Sequence, residues 1–176
     1  VLLAAAGWQD LLANSVTSVE ALSRHLDIDR RETDAVIQRY PMRINPYYLS
    51  LIEKKGGPLW LQAVPDNREI QEDSFNEDPQ QETGWSPVPN LIHRYPSRAL
   101  FIVSNRCALH CRHCFRKRMV GQPGIVTEET RDLGLEYIRN TPHVKEVILS
   151  GGDPLLLEDH QLDDLLRRLK AIRHVE

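Results

Sequence analysis

The stretch Ala99-Leu-Phe-Ile-Val-Ser-Asn-Arg-Cys-Ala-Leu-His-Cys-Arg-His-Cys114 joins an apolar run to three closely spaced cysteines. The run at 99–103 has the length of one strand and is apolar throughout, which is typical of a parallel strand covered on both faces. The cysteines that follow, Cys107, Cys111 and Cys114, have the spacing C-x3-C-x2-C. This stretch therefore predicts a buried strand whose carboxyl end leads into a metal-binding or redox-active loop.

The cysteine spacing favours an iron–sulfur cluster over the alternatives. Three thiolates on a short loop can hold three corners of a [4Fe–4S] cluster, because soft sulfur ligands suit iron–sulfur chemistry. The fourth iron then has no cysteine ligand in this sequence and is open to a small molecule. The alternatives are unligated cytosolic thiols, or a zinc site completed by His110 or His113. Zinc sites normally use paired C-x2-C hooks separated by a longer loop, and no second pair is present.

The residues after the cysteines alternate between helix and strand patterns. We predict a helix at 127–140, a strand at 144–149, a helix at 159–172 and the start of a third strand at 174–175. This rhythm indicates an α/β fold that opens a partial (β/α) barrel. Ser150-Gly-Gly-Asp153 follows the second strand, as the cysteines follow the first. Because ligands gather at the carboxyl ends of parallel strands, the two loops are expected at one edge of the sheet.

The chain divides into three segments by pattern. Residues 1–62 read as a helical region, with helices expected near 17–26, 29–40 and 46–52, the last one stopped by Gly56-Gly57-Pro58. Residues 63–92 read as an irregular connection, acidic and rich in proline. Residues 93–176 contain the start of the barrel. The apolar opening at 1–7 is too short to span a bilayer and lacks the features of a signal peptide, so a cytoplasmic protein is expected.

Composition narrows the range of partners. The chain has 176 residues and a formal net charge of −3, which provides no overall attraction to nucleic acid or to an anionic membrane. We therefore expect neither as a partner. A zinc-binding interaction module that uses the basic run 112–118 remains an alternative, but the acidic 63–92 segment argues against a broad basic surface.

Three motifs together resemble the lysine 2,3-aminomutase family of radical S-adenosylmethionine (SAM) enzymes. They are His93-Arg-Tyr-Pro-Ser-Arg98, Cys111-Arg-His-Cys-Phe-Arg-Lys-Arg118 and Leu149-Ser-Gly-Gly-Asp-Pro-Leu155. A related branch makes β-lysine for modification of translation elongation factor P. The resemblance implies a [4Fe–4S] cluster, SAM and pyridoxal 5′-phosphate (PLP) as cofactors, and a reaction that moves the α-amino group of L-lysine to C3. It also implies a reducing electron donor such as flavodoxin or ferredoxin, and a homo-oligomer.

The resemblance assigns a role to each matching residue. The three cysteines would hold the cluster, and residues 150–153 would lie along the methionyl amino group of SAM, with His113 near the adenine. Arg94, Tyr95 and Arg98 would bind the PLP phosphate, a task that suits the arginine fork. Arg116 would bind the substrate carboxylate, and Arg112 would line the same cavity. Without the resemblance, these arginines would be read as ordinary surface residues.

Some of the family's functional residues have no counterpart in this sequence. The lysine that binds PLP and the acids that recognise the substrate side chain lie later in the family's chain, and Lys145 and Lys170 match neither position nor context. We therefore expect this chain to be the N-terminal portion of a longer enzyme and to be inactive in isolation. An aminomutase for another amino acid, such as glutamate, remains an alternative.

Overall fold

The computed structural model describes residues 7–71 and 76–176. Residues 1–6 lie outside this range, as do residues 72–75 of the predicted irregular connection, so the expectation for the apolar opening is almost wholly outside the described residues. In the described part of the chain, no helix combines the length and the apolar character needed to cross a membrane. The helices are α1 (Trp8–Ala13), α2 (Val19–Leu22), α3 (Arg30–Arg39), α4 (Pro46–Ser50), α5 (Pro58–Ala63), α6 (Arg68–Gln71), α7 (Glu128–Arg139) and α8 (Asp159–Lys170). The strands are β1 (Leu91–Tyr95), β2 (Arg98–Ser104) and β3 (Glu146–Gly151), and short 3-10 helices occupy Glu82–Trp85 and Pro154–Leu156.

The described residues form two compact units. The first contains residues up to 77 together with 107–121, and the second contains 78–106 with 122–176. The cysteine segment thus packs with the helical region, although the sequence division placed it in the barrel segment. The reason lies in side-chain and backbone bonds between distant parts of the chain, described below.

The first unit is a set of short helices around a small core. The predicted helices near 17–26, 29–40 and 46–52 are confirmed, in shorter form, as α2, α3 and α4. Each begins at a capping side chain: Ser18, Asp29 and Asn45 accept hydrogen bonds from backbone N–H groups three residues on. Helix α5 was not predicted, because Pro58 was read only as a stop, whereas proline also suits the first position of a new helix. The core residues are Val16, Leu22, Met42, Ile44, Ala63 and Val64.

The second unit is a three-stranded sheet in the order β1-β2-β3. The predicted strands at 99–103 and 144–149 are confirmed as β2 and β3, and they pair in parallel, with Phe101 opposite Leu149. The helices predicted at 127–140 and 159–172 are confirmed as α7 and α8. Strand β1 was missed. It pairs antiparallel with β2 through a tight connection in which Tyr95 faces Arg98, so the sheet is mixed.

The helices of this unit bury the sheet on one side. Phe101 on β2 is fully buried, and Gly134 on α7 allows its ring to approach the helix closely. Leu135 and Ile138 from α7, with Leu165 and Leu169 from α8, complete the core cluster. The apolar faces of β2, α7 and α8 therefore pack together in one core layer, as expected for an α/β fold.

The predicted third strand at 174–175 is wrong. The chain turns after α8, and residues 174–175 are not in a strand. Nε2 of His174 lies 3.0 Å from the carbonyl oxygen of Ile138, and Val175 packs against the core. The backbone N–H of Glu176 donates to the carbonyl of Lys145, just before β3. These contacts provide hydrogen-bond partners and apolar packing for residues 174–176 without strand pairing.

Candidate iron–sulfur and SAM site

The helical region holds the cysteine segment by backbone bonds. Leu109 forms an antiparallel bridge with Ile44, and the N–H of His110 donates to the carbonyl of Arg43 over 2.9 Å. The side chain of Asn45 donates to the carbonyl of Ala108. Because these anchors lie more than 60 residues earlier in the chain, the loop conformation depends on tertiary structure and not on local sequence.

The three cysteines line one small cavity. All three are half-buried and none forms a disulfide bond. The cavity is lined by Pro41, Cys107, Leu109, His110, Cys111, Cys114, Lys117 and Val120. Residues 107–121 lie in one unit, so the structure brings the three predicted cluster ligands together around the same space.

This donor set fits an iron–sulfur cluster better than a single metal ion. Within residues 7–71 and 76–176, no group of three or more His, Cys, Asp or Glu side chains is arranged to hold one ion. A [4Fe–4S] cluster makes a different demand, because each thiolate binds a different iron and the sulfurs need not converge on one point. Three thiols around a cavity meet that demand.

Glu69 ties the cysteine segment to helix α6. Its carboxylate accepts bonds from Nε and Nη2 of Arg112, at 3.0 and 2.8 Å, and from Nζ of Lys117 at 2.9 Å. The side chains of Arg112 and Glu69 are 5% and 10% exposed, so this ion pair is buried. Burial raises the pKa of Glu69, but the hydrogen bonds from Arg112 and Lys117 and the charge of Arg112 outweigh it and hold that pKa below its usual value.

The predicted role of Arg112 in lining a substrate cavity stays a prediction, while its contacts in the structure hold the cysteine segment. Besides Glu69, its guanidinium donates to the carbonyls of Pro41 and Tyr40, at 3.1 and 3.4 Å. Arg112 is also absent from the residues that line the cysteine cavity. A charge this buried must be paired, and these partners fix the guanidinium of the residue that lies between Cys111 and Cys114 in the sequence.

The other basic residues of the segment differ in exposure. Arg116 is buried and lies over the ring of Phe115, with its guanidinium carbon 4.8 Å from the ring centroid. Lys117 lines the cavity, and its ammonium lies 4.4 Å from the ring centroid of Tyr40. His113 is exposed. The substrate role of Arg116 and the adenine role of His113 stay predictions.

His110 is a buried wall of the cavity. Its Nδ1 lies 3.1 Å from the carbonyl oxygen of Pro41, and burial lowers its pKa to about 4, so the ring is neutral near pH 7. Gly121 approaches this ring closely: a Cβ there would lie 2.4 Å from the imidazole, and the φ of +78° is itself unfavourable for other residues. These contacts indicate a packing role for His110 in the wall of the cavity.

In the second unit, the glycine-rich loop follows β3 and contacts the end of β2. Gly151 pairs with Ser104, and the N–H groups of Gly152 and Asp153 donate to the carbonyls of Ser104 and Arg106. A Cβ on Gly152 would lie 2.3 Å from the Arg106 carbonyl oxygen. The predicted meeting of the two strand ends is thus confirmed as far as Arg106, the residue before Cys107.

The same contacts give the loop residues a structural task. The glycines permit close approach of the β2 end, and a carboxylate oxygen of Asp153 accepts a hydrogen bond from the N–H of Leu155 at 2.9 Å. Asp153 thereby caps the 3-10 helix that follows. The predicted contacts of Ser150, Gly151, Gly152 and Asp153 with SAM stay predictions.

The three residues predicted to bind the PLP phosphate lie on the β1–β2 hairpin. Arg94 lies over the ring of Trp85 at 5.8 Å, and Tyr95 is 60% exposed. Arg98 pairs with Glu146 at 2.6 Å. Arg98 begins β2 and the glycine-rich loop packs at its other end, about 20 Å away along seven residues of strand. The structure therefore does not bring this group together with residues 150–153, and the PLP role stays a prediction.

Two residues of the site were missed by sequence analysis. Glu69 lies in the segment read as an irregular connection, and Gln62 at its border contacts Cys111. A single acid among many, or a glutamine on a short helix, carries no pattern that distinguishes it. Only the long-range contacts identify them.

Part of the chain is similar to a known family of enzymes. Residues 101–176 match the model of the Radical SAM superfamily.

The chain as a whole is similar to proteins named L-lysine 2,3-aminomutase. It is 42% identical to the L-lysine 2,3-aminomutase of Acetoanaerobium sticklandii and 41% identical to that of Fusobacterium nucleatum, in each case over 96% of this chain. It is 33% identical to the glutamate 2,3-aminomutase of Clostridioides difficile, also over 96% of this chain. The alignments cover 42%, 41% and 41% of those relatives, so the chain spans about two fifths of their length.

Proposed function

We propose that this chain is the cluster- and SAM-binding portion of a radical SAM, PLP-dependent aminomutase that converts L-lysine to β-lysine. The observation that carries the proposal is the placement of Cys107, Cys111 and Cys114 around one cavity, in a chain whose residues 101–176 match the radical SAM model. With three thiolate ligands, one iron of a [4Fe–4S] cluster is left for SAM, which supplies the radical chemistry when bound.

We propose lysine and not glutamate as the substrate because the relatives named for lysine are more similar to this chain. Those named L-lysine 2,3-aminomutase reach 42% identity, while the one named glutamate 2,3-aminomutase is 33% identical. Arg116 is consistent with either amino acid, since a guanidinium would bind the carboxylate that both substrates share.

The roles of the chain's own residues follow from this proposal. The cysteines hold the cluster, and Glu69 with Arg112 holds the loop that carries them. Residues 150–153 bind the amino-acid end of SAM, and Arg94, Tyr95 and Arg98 bind the PLP phosphate. A reducing protein such as flavodoxin or ferredoxin supplies the electron. We further propose a cytoplasmic homo-oligomer.

Anaerobic reconstitution of the purified protein tests the cluster. We expect about four irons with four labile sulfides per chain, and a change in the electron paramagnetic resonance (EPR) spectrum of the reduced cluster on addition of SAM. Cys111→Ala should lose the cluster and all SAM cleavage, while Gln71→Ala, on the exposed end of α6, should retain both. One zinc per chain and no iron would instead support a zinc-binding module.

Substrate is tested separately, by incubating the reduced full-length enzyme that contains this chain with SAM, PLP and isotopically labelled lysine or glutamate. β-Lysine formation is expected, and β-glutamate formation would favour the alternative substrate. Arg116→Ala should keep the cluster and weaken lysine binding, with Arg118→Ala as the matched control. Unchanged lysine affinity in Arg116→Ala would show that this side chain does not bind the carboxylate.

A further inference from the structure

Gln62 makes two separate contacts with the cysteine segment. Its backbone carbonyl accepts a hydrogen bond from the N–H of Arg112 over 2.8 Å. Its side-chain Nε2 lies 3.6 Å from Sγ of Cys111 and donates a hydrogen bond to it. One residue of α5 therefore holds the backbone next to a predicted cluster ligand and also contacts the sulfur of that ligand.

The position of Gln62 is set by its neighbours in the helix. Ala63 and Val64 are buried in the core of the first unit, at 0% and 2% exposure. The N–H of Val64 donates to the carbonyl of Trp60 at the end of α5, over 2.8 Å. Because the adjacent residues are packed and the Gln62 carbonyl is bonded, the backbone of Gln62 is fixed at a place from which its amide reaches the sulfur.

The nearby Tyr48 does not provide the same bond. Its hydroxyl donates to the carbonyl of Leu59 at 3.4 Å, so its proton is directed away from Cys111. Burial raises the pKa of Tyr48, and the proximity of Cys111 raises it further, so the phenol stays neutral. Gln62, and not Tyr48, therefore donates to Cys111. Its amide is a neutral donor beside a sulfur that becomes negatively charged on ligation.

We infer that Gln62 tunes the reduction potential of the cluster by donating an N–H···S hydrogen bond to its ligand Cys111. This inference rests on the proposed function, since it requires a cluster on the three cysteines. Reduction adds one electron from an external reductant to the cluster, and part of the added charge resides on the thiolate sulfurs. A donor to one sulfur stabilises the reduced form more than the oxidised form and so raises the potential.

The test compares wild type with Gln62→Met, which keeps the length and the backbone carbonyl contact but removes the donor. Potentials are measured by anaerobic titration with redox mediators, followed by EPR of the reduced cluster. We expect the midpoint to become more negative in Gln62→Met, by roughly a two- to tenfold change in the reduction equilibrium, as for loss of one hydrogen bond; tenfold corresponds to about 59 mV for one electron. Gln71→Met on α6 is the matched control and should leave the midpoint unchanged.

A second readout uses the wild-type protein and does not depend on the variant's folding. Electron–nuclear double resonance of the reduced cluster, before and after exchange into deuterium oxide, should reveal an exchangeable proton from the Gln62 side chain. Protein labelled with nitrogen-15 in the glutamine side-chain amide would assign that proton. Absence of any coupling to that amide would overturn the inference. Equal midpoints in wild type and a cluster-loaded Gln62→Met would also overturn it, whereas wild type that assembles no cluster would overturn the proposed function itself.

Discussion

The carboxylate of Glu69 and the guanidinium of Arg112 form a buried, two-pronged ion pair, with N–O distances of 3.0 and 2.8 Å. The pair joins helix α6 to the residue that follows Cys111 in the sequence. Lys117, three residues after Cys114, bonds to the same carboxylate. A single acid of helix α6 thus bonds to residues on either side of Cys114 in the sequence.

Glu69→Gln should strongly destabilise the first unit. It leaves the Arg112 guanidinium buried without a counter-charge, and loss of one partner of a buried pair typically costs about 3–5 kcal/mol. The free energy of unfolding in urea is the measurement. Glu77→Gln is the control, because Glu77 pairs with Arg39 at an exposed site and its loss should change stability little. Equal stability of Glu69→Gln and wild type would show that the pair is energetically neutral.

Acid should weaken the same pair. The pKa of Glu69 is lower in the folded protein than its usual value of 4.5, so the unfolded state binds the proton more readily. The stabilisation is therefore fully present above about pH 4.5 and is lost as the pH falls through the lowered folded-state pKa. Unfolding measured from pH 7 to pH 3 should show the gap between wild type and Glu69→Gln narrowing as acid is added. A gap that stays constant or widens would contradict this sign.

Gly134→Ala should destabilise the second unit even though alanine favours helix by about 1 kcal/mol. The new methyl would lie 2.4 Å from the fully buried ring of Phe101, and overpacking a core costs about 1–3 kcal/mol. We expect a net loss of about 1 kcal/mol in urea unfolding. Gly134→Ala should cost less stability in a Phe101→Leu background than in the wild-type protein, because the smaller side chain leaves room for the methyl. An equal cost in both backgrounds would mean that the ring is not the obstacle.

Gly152→Ala should be more damaging than Gly134→Ala, since its methyl would meet backbone atoms. The Arg106 carbonyl oxygen would lie 2.3 Å away and the Arg106 nitrogen 2.8 Å away, and neither can rotate aside as a side chain can. A loss of at least about 2 kcal/mol in urea unfolding is expected. Gly84→Ala is the control, because nothing lies within 4 Å of its Cβ position. If both changes have the same effect, the close approach of the β3 loop to Arg106 is not required for stability.

Local pattern was sufficient for the regular elements of the second unit. The apolar run in β2, the periodicity of α7 and α8 and the capping side chain of Thr127 each depend on residues close in sequence. Strand β1 was missed because its five residues include a histidine, an arginine and a tyrosine, and only pairing with β2 makes them a strand. The third strand was predicted wrongly because a short apolar end has no local signal that separates a strand from a packed turn.

For the candidate site, the sequence by itself determined the ligand chemistry: the number, type and spacing of the cysteines, and the glycines that allow close approach. These are properties of neighbouring residues and survive in any fold. The tertiary structure alone decided which side chains surround the cysteines. It made Arg112 a buried strut to Glu69, and it brought Gln62 to the sulfur of Cys111. Such contacts join residues 43 and 49 positions apart, and no local propensity encodes them because their energy exists only once the core has formed.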